Sequence, residues 1–407
     1  MLRTRLNIIV SGMIAADPYQ GGATWAVLQY VLGLRELGHC VWLIEPIKPG
    51  SVQPPGARLD DSINTRYFRE IVSEFGLEDQ AALLRTDSRT TVGLSYERLG
   101  EIARQADLLI NISGMLTDEN LLSAIPVRAY LDLDPAFIQL WHAQGIDMRF
   151  AAHTHFVTIG LAIGEKDCPV PTCGVSWIKT LQPIVLSHWP VAEQIVYDGL
   201  TTIANWRGYG SVEHQGVHYG QKVHSLRQFF DLPSRTQEKF MVAMAIHPGE
   251  VADIAELDRF GWQRLDPAEV AGTPRAYQEF IQGSKAEFGI AKSGYVLSRC
   301  GWFSDRSLCY LASGRPVIAQ DTGLQPYVPF GAGLFAFQSA DDVLTAIDAI
   351  NSDYQNIAWR RGIWRKSILT RTKFLRYSCH DWVSVELRTE ISIATKNRGN
   401  VQFQKGS

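Results

Sequence analysis

Residues 287–323, EFGIAKSGYVLSRCGWFSDRSLCYLASGRPVIAQDTG, predict a strand, a loop, a helix and a second strand in that order. The loop contains Gly294, Arg299, Gly301 and Trp302. Ser304 is a favourable N-cap residue, and Asp305 follows in the first helical turn, where the helix dipole favours an anion. A glycine-containing loop that leads into a capped helix presents free backbone N–H groups, as phosphate-binding sites commonly do.

Two parts of this stretch resemble the donor-site signature of the GT-B glycosyltransferase superfamily, with a group 1-like C-terminal domain. Residues 312–323, ASGRPVIAQDTG, resemble the end of that signature, and residues 300–304, CGWFS, resemble its Gly-Trp-x-Ser opening. Cys309 or Ser307 stands where many members carry an acidic residue that contacts the donor sugar or ribose. The resemblance implies an α/β fold with two Rossmann-like domains facing across a cleft, and a nucleotide-type donor.

Composition sets broad limits on the class of protein. The chain has 407 residues, which suits two domains, and its 46% apolar and 20% charged residues are ordinary for a globular protein. The net charge of −3 gives no general attraction to nucleic acid or to an anionic membrane. Six scattered cysteines suggest reduced thiols, so we expect a cytoplasmic protein. No apolar run reaches the ~20 residues of a transmembrane helix.

The chain begins with the pattern of a doubly wound sheet. Residues 6–12 predict a strand, residues 13–20 a polar loop, and Gly21-Gly22 the start of a helix before a second strand. Two glycines at a helix start allow a ligand to approach the backbone, although a tight turn without a ligand would use them equally well. Many GT-B enzymes carry such a pair facing the donor diphosphate, which is what the resemblance implies for Gly21 and Gly22.

Strands and helices alternate through two regions that an irregular, Pro-containing linker separates. We expect an acceptor-side domain at residues 1–185 and a donor domain at residues 196–375. By the same resemblance, residues 376–407 form a C-terminal helix that returns to the first domain, and a tail.

Ligands of open α/β sheets bind beyond the carboxyl ends of the strands, so polar residues at strand ends are the candidate site. Arg207, Lys292 and Arg306 are candidate clamps for a diphosphate, although each would also suit a solvated surface. The donor-binding candidates are Gly21, Gly22, Arg207, His247, Glu250, Lys292, Arg299, Gly301, Trp302, Ser304, Asp305, Arg306, Ser307 and Asp321.

An inverting transfer needs a base for the acceptor, whereas a retaining one does not. Asp17 is the only carboxylate in the loop after the first strand, and Asp132 ends a later strand, so these two are the catalytic candidates. His153 and His155 could share a face of a strand, but no third ligand stands at a characteristic spacing, and we expect no metal site.

We therefore expect a metal-independent, hexosyltransferase-like glycosyltransferase that uses a nucleoside-diphosphate sugar as co-substrate and needs no other cofactor. Its acceptor is open: a small molecule, a polymer or a nucleic acid. Alternatives are an epimerase or hydrolase of the same fold, which would lack an acceptor pocket, and a silent scaffold, which the missing acidic residue favours. A nucleic-acid-modifying glycosyltransferase is a further alternative, since the C-terminal region is rich in Arg and Lys.

Overall fold

The computed structural model describes residues 5–331, residues 333–354 and Cys379. The predicted C-terminal helix and the basic C-terminal region lie, apart from Cys379, outside the described residues. Within the described residues, no helix is long and apolar enough to cross a membrane.

The first sheet has eight strands in the order β4-β3-β2-β1-β5-β6-β7-β8, and only the β3–β4 pair is antiparallel. The strands are β1 (Asn7–Ser11), β2 (Cys40–Ile47), β3 (Ala81–Arg85), β4 (Thr91–Gly93), β5 (Leu108–Ile112), β6 (Val127–Asp132), β7 (His155–Thr158) and β8 (Trp177–Lys179). The helices of this part are α1 (Gly21–Glu36), α2 (Ile63–Glu74), α3 (Tyr96–Gln105), α4 (Glu119–Ser123) and α5 (Phe137–Ala143).

The second sheet has six parallel strands in the order β13-β12-β9-β14-β15-β16. They are β9 (Tyr197–Asn205), β12 (Phe240–Ala245), β13 (Gln263–Leu265), β14 (Ser284–Gly289), β15 (Val317–Gln320) and β16 (Leu334–Phe337), and β10 (Val212–His214) and β11 (Val217–Tyr219) form a separate hairpin. The helices are α6 (Lys222–Leu226), α7 (Val251–Phe260), α8 (Pro267–Ala271), α9 (Pro274–Gly283), α10 (Ser293–Ser298), α11 (Asp305–Ala312) and α12 (Ala340–Ser352).

Both sheets have the strand order of doubly wound folds, so the predicted fold class is confirmed. The direction in which successive strands are added to the sheet reverses between β1 and β5 in the first sheet and between β9 and β14 in the second. Their central strands are apolar because both faces of a parallel sheet are covered; β5, for example, is buried along its whole length. A ligand crevice is expected at each of these two switch points.

One local prediction was wrong, and one element was not predicted. The loop expected after β14 contains the helix α10, whose Tyr295 is buried and packs edge-on against Phe137 of the first sheet's part, with ring centroids 5.5 Å apart. The hairpin β10–β11, which follows Arg207, was not predicted from the sequence. In both cases contacts with residues distant in the sequence stabilise an element that the local sequence pattern does not indicate.

Candidate functional site

The two switch points face each other across a cleft of about 550 Å³. The first sheet contributes the loop after β1 and the start of α1, through Tyr19, Gln20, Gly21 and Gly22. The second contributes the end of β9, residues from α8 and the start of α11, together with Lys292 after β14. The cleft therefore lies where doubly wound sheets bind ligands, and both sheets form it.

Gly21 and Gly22 bring α1 against the second sheet's helices. A Cβ on Gly21 would lie 2.4 Å from the carbonyl oxygen of Thr273, and a Cβ on Gly22 would lie 2.9 Å from the ring of Tyr277. The indole N–H of Trp25 donates to the carbonyl of Pro274 at 2.9 Å. Close packing between the two halves thus requires the glycine pair, which also lines the cleft.

The starts of two helices line the cleft without a side-chain cap. Gln20 precedes the 16-residue α1 and Ser304 precedes the eight-residue α11, and neither side chain accepts a hydrogen bond from its helix. Ser304 is thus the N-cap residue that the sequence predicts, but its hydroxyl does not cap. First-turn N–H groups have no acceptor within the helix, so both helix starts favour an anionic ligand.

Asp305, in the first turn of α11, also lines the cleft, whereas Ser307 is buried. Burial raises the pKa of Asp305, and the neighbouring Arg306 opposes that shift.

Arg306 is a buried cation anchored at the cleft wall. Its Nε donates to Oε1 of Glu287 at 2.6 Å, and its Nη1 donates to the carbonyl of Ile203 at 2.8 Å. Burial lowers the pKa of this guanidinium, but Glu287, together with the nearby Tyr277 and Tyr310, raises it, and the net shift is upward. Nη2 is buried and has no hydrogen-bond partner in the described part of the chain. The ion pair fixes the guanidinium and leaves one donor unused.

Lys222, at the start of α6, is a cation that the sequence did not single out. Burial lowers its pKa well below the ordinary lysine value, and the nearby charges of Arg306 and Lys292 lower it further, while Glu287 and Asp305 oppose the shift. No ion pair or hydrogen bond of its ammonium is found among the described residues. Lys292 and Arg306 line the cleft, and Lys222 is close enough to both to be repelled by them, so an anion bound there would relieve this repulsion.

The cleft cation Lys292 is held by the first sheet's part. Its ammonium lies 2.9 Å from Oδ1 of Asp134, which follows β6, and contacts the hydroxyls of Tyr209 and Tyr295. Burial lowers the pKa of Lys292, and Asp134 partly offsets this.

Three predicted donor residues stand away from the cleft lining. Arg207 is bound to Glu250 through an Nε–Oε1 contact of 2.5 Å, and this pair lies at an exposed rim beyond β9. The Nδ1 atom of His247 accepts from the backbone N–H of Gly249 at 3.0 Å, which shapes the turn before α7. These contacts are local, and the structure does not bring these side chains to Lys222 or Arg306.

Gly301 forms a contact with the first sheet's part, which we call the seam (residues 160–162 and 300–301), whereas Trp302 stacks on Tyr295. Leu161 N–H donates to the carbonyl of Gly301 at 3.3 Å, and Ala162 N–H donates to that of Cys300 at 3.0 Å. Gly301 has a φ of +72°, and a Cβ there would lie 2.7 Å from the nitrogen of Ala162.

Arg299 and Asp321 line a separate cavity of about 430 Å³ beside α10, which we call the outer pocket. Asp321 accepts from the backbone N–H groups of Gly323 and Leu324 and from Gln338, so its carboxylate shapes the turn after β15. The structure thus divides the predicted donor set among the cleft, the rim, the seam and the outer pocket.

The two predicted catalytic carboxylates differ in access. Asp17 belongs to the loop whose Tyr19 and Gln20 line the cleft, and partial burial raises its pKa. Asp132 is fully buried and accepts from Gln139 at 2.8 Å and from Thr158 at 2.7 Å. Burial raises the pKa of Asp132 to about 6, and its hydrogen bonds oppose that shift.

Glu45, at the end of β2, fixes the loop that carries Asp17, and the sequence did not identify it. Its Oε1 accepts from the backbone N–H groups of Ile14, Ala15 and Ala16 at 2.7–2.8 Å. The carboxylate is completely buried, and burial raises its pKa to about 7 although these hydrogen bonds lower it. The sequence feature that could have identified Glu45 is the presence of an acidic residue in an otherwise apolar strand.

Comparison with known proteins identifies the fold. No protein-family model matches the sequence, and no curated protein sequence matches it. Among solved structures, an alpha-glucosyltransferase in complex with UDP and DNA containing an HMU base is similar with a TM-score of 0.59 at 12% identity, over 93% of this chain and 99% of that one. An alpha-glucosyltransferase with UDP-glucose and DNA containing an abasic site has a TM-score of 0.55 at 12% identity, over 93% and 98%. The chain therefore has the GT-B fold.

Proposed function

We propose that the protein is a glycosyltransferase that binds a nucleoside-diphosphate sugar in the cleft between its two sheets. The observation that carries this proposal is that Lys292 and Arg306 line the cleft, with a third cation, Lys222, near both of them. A leaving diphosphate needs such cations together with backbone N–H groups, and the starts of α1 and α11 offer the latter. The similar structures that contain UDP or UDP-glucose support a uridine nucleotide as the first donor to test.

Each cation has its own part in this proposal. Arg306 is anchored by Glu287 and directs its unused Nη2 to a phosphate oxygen, while Lys222 supplies an ammonium that has no protein partner among the described residues. The bound diphosphate restores the pairing that the cations lack. Ser304 and Asp305 remain candidates for the donor's phosphate and sugar, and no metal ion is required to neutralise the leaving group.

The acceptor approaches from the first sheet's side. Asp17 is the better candidate of the two carboxylates for the acceptor base, because its loop borders the cleft. The carboxylate of Asp132 already accepts hydrogen bonds from Gln139 and Thr158. The DNA in two of the similar structures makes modified DNA one acceptor class to test, beside sugars and polymers. An epimerase or hydrolase would share the donor site, and product analysis separates these activities.

The first experiment is a thermal-shift screen against UDP-, GDP-, dTDP- and CDP-sugars and the bare nucleotides, with and without a divalent cation. A ligand at ~100 times its Kd adds about 2.7 kcal/mol of stability, which such a screen detects. We expect a selective shift with one nucleotide without added metal. The absence of a shift with every nucleotide, in either condition, would overturn the proposal and favour a silent scaffold.

A further inference from the structure

Lys292 reaches the cleft from within a polar cluster that both halves of the molecule build. Asp134 comes from the first sheet's part, whereas Tyr209, Lys292 and Tyr295 come from the second. The Oδ1 atom of Asp134 accepts from the ammonium of Lys292 and from both tyrosine hydroxyls. Three donors from one half therefore converge on a single carboxylate oxygen of the other.

Aromatic rings restrict where the ammonium of Lys292 can lie. It is 3.8 Å from the ring centroid of Tyr209, 5.1 Å from that of Tyr295 and 5.2 Å from that of Phe137. Trp302 stacks on Tyr295 at a centroid distance of 4.5 Å and supports that ring from behind. Rings at these distances attract a cation, but Asp134 is the only anion that the cluster provides among the described residues.

The position of Asp134 makes it unsuited to direct contact with a donor diphosphate, since two anions repel. Asp134 is absent from the residues that line the cleft among those described, whereas Lys292 is one of them. Lys292 therefore links the cleft to a carboxylate that does not line it. A charge-assisted hydrogen bond of this type is stronger than a neutral one and fixes the direction of its donor.

We propose that Asp134 is a positioning residue, which acts from the acceptor-side half to hold the ammonium of Lys292 at the cleft, where Lys292 binds the donor diphosphate. This inference rests on the proposed function. Because the bond crosses between the halves, it forms only when the cleft has the width seen here. Donor affinity therefore depends on a residue of the opposite half that does not touch the donor.

The test is a double-mutant cycle on UDP affinity, measured by isothermal titration calorimetry. Asp134→Asn keeps the shape and removes the charge, and Lys292→Met removes the cation. We expect each to raise the Kd of UDP about tenfold, in line with the strength of hydrogen bonds to charged groups. We expect the double variant to be no weaker than the weaker single variant, because both changes remove one interaction.

A matched control exists in the same half. Lys285 is paired with Glu238 at 2.7 Å, and its side chain is 17% exposed, the same fraction as that of Lys292. Lys285→Met removes a similar partly buried ion pair but lies away from the cleft lining. We expect it to lower the unfolding midpoint and to leave the Kd of UDP within twofold of the wild-type value.

Three outcomes decide the inference. Asp134→Glu should recover UDP affinity to within about threefold of wild type, since a positioning role needs the charge. A lower unfolding midpoint with an unchanged Kd in Asp134→Asn would reduce Asp134 to a structural residue and overturn the inference. If Asp134→Asn does not fold, Tyr209→Phe and Tyr295→Phe probe the same cluster, and unchanged Kd values in both would overturn it equally.

The failure of the inference is distinguishable from that of the proposed function. Wild-type protein that binds none of the nucleotides removes the proposed function, and the inference with it. Wild-type protein that binds UDP while Asp134→Asn binds it equally well removes the inference alone.

Discussion

The cleft and the seam are both contacts between the two halves, and both take residues from the same stretch, 300–306. At the seam, the backbone of residues 300–301 is hydrogen bonded to Leu161 and Ala162. At the cleft, Nη2 of Arg306 has no partner among the described residues, and neither has the ammonium of the nearby Lys222. The seam holds the halves together, and the cleft keeps the unsatisfied groups that a ligand can use.

This difference explains why the residues that resemble one donor-site signature lie in two different places in the structure. Gly301 and Trp302 match the opening of a donor signature, yet Gly301 lies in the seam and Trp302 stacks on Tyr295. Asp305 and Arg306, a few residues later, line the cleft. Helix α11 begins at Asp305, so the two cleft residues belong to its first turn whereas Gly301 and Trp302 precede the helix.

The largest expected effect concerns Arg306, which we expect to contribute both to the stability of the fold and to donor binding. Arg306→Met leaves Glu287 buried without a counter-charge, and we expect the free energy of unfolding to fall by about 3–5 kcal/mol. Chemical denaturation measures this. The double variant Arg306→Met/Glu287→Leu removes both charges, and we expect it to regain most of the stability but not UDP binding. Wild-type UDP affinity in the double variant would exclude Arg306 from the donor site.

The next effect is a pH dependence that Glu45 causes. Burial raises its folded-state pKa from 4.5 to about 7, so the folded state holds a proton that the unfolded state loses between these values. Stability is therefore greatest at the low end of this window and falls as the pH rises through it. We expect the difference in unfolding free energy between wild type and Glu45→Gln to shift by ~3 kcal/mol, in favour of the variant, from pH 4.5 to pH 8. A constant difference would contradict this.

Gly301→Ala tests the seam. The substitution adds strain at a φ of +72° and places a Cβ 2.7 Å from the nitrogen of Ala162, and we expect a loss of about 2–4 kcal/mol in unfolding free energy. Gly261→Ala is the matched control, because Gly261 has a φ of +88° but no atom within 4 Å of an added Cβ. We expect the control to lose only about 1 kcal/mol. Equal losses would show that seam packing contributes nothing.

Lys222→Met has the smallest expected effect on stability and separates the cleft from the seam most sharply. The lowered pKa of Lys222 means that its charge is unfavourable in the folded state, so its removal should leave the ligand-free protein as stable or slightly more stable. The same variant should bind UDP at least tenfold more weakly. The exposed Lys239 is the control, and Lys239→Met should change neither quantity. Wild-type UDP affinity in Lys222→Met would refute its role.

The sequence predicted the fold because parallel strands buried on both faces are short apolar runs, as in β5 and β6. Five of the predicted donor residues line the cleft, namely Gly21, Gly22, Lys292, Asp305 and Arg306, although no comparison tests whether they bind a donor. The sequence analysis did not identify Lys222 as a candidate, because the hairpin β10–β11 separates it from β9 and it therefore does not directly follow a strand of the sheet. The seam was not predicted because its contacts join residues that are far apart in the sequence.

Hydrogen exchange with and without UDP tests the central claim most directly. First-turn amides have no acceptor within their helix and exchange quickly unless a ligand accepts from them. The account predicts that saturating UDP protects the amides of residues 21–23 in α1 and 305–307 in α11, together with the start of α6. Protection confined to the outer pocket, at residues 293–299 and 320–321, or no protection anywhere, would contradict it.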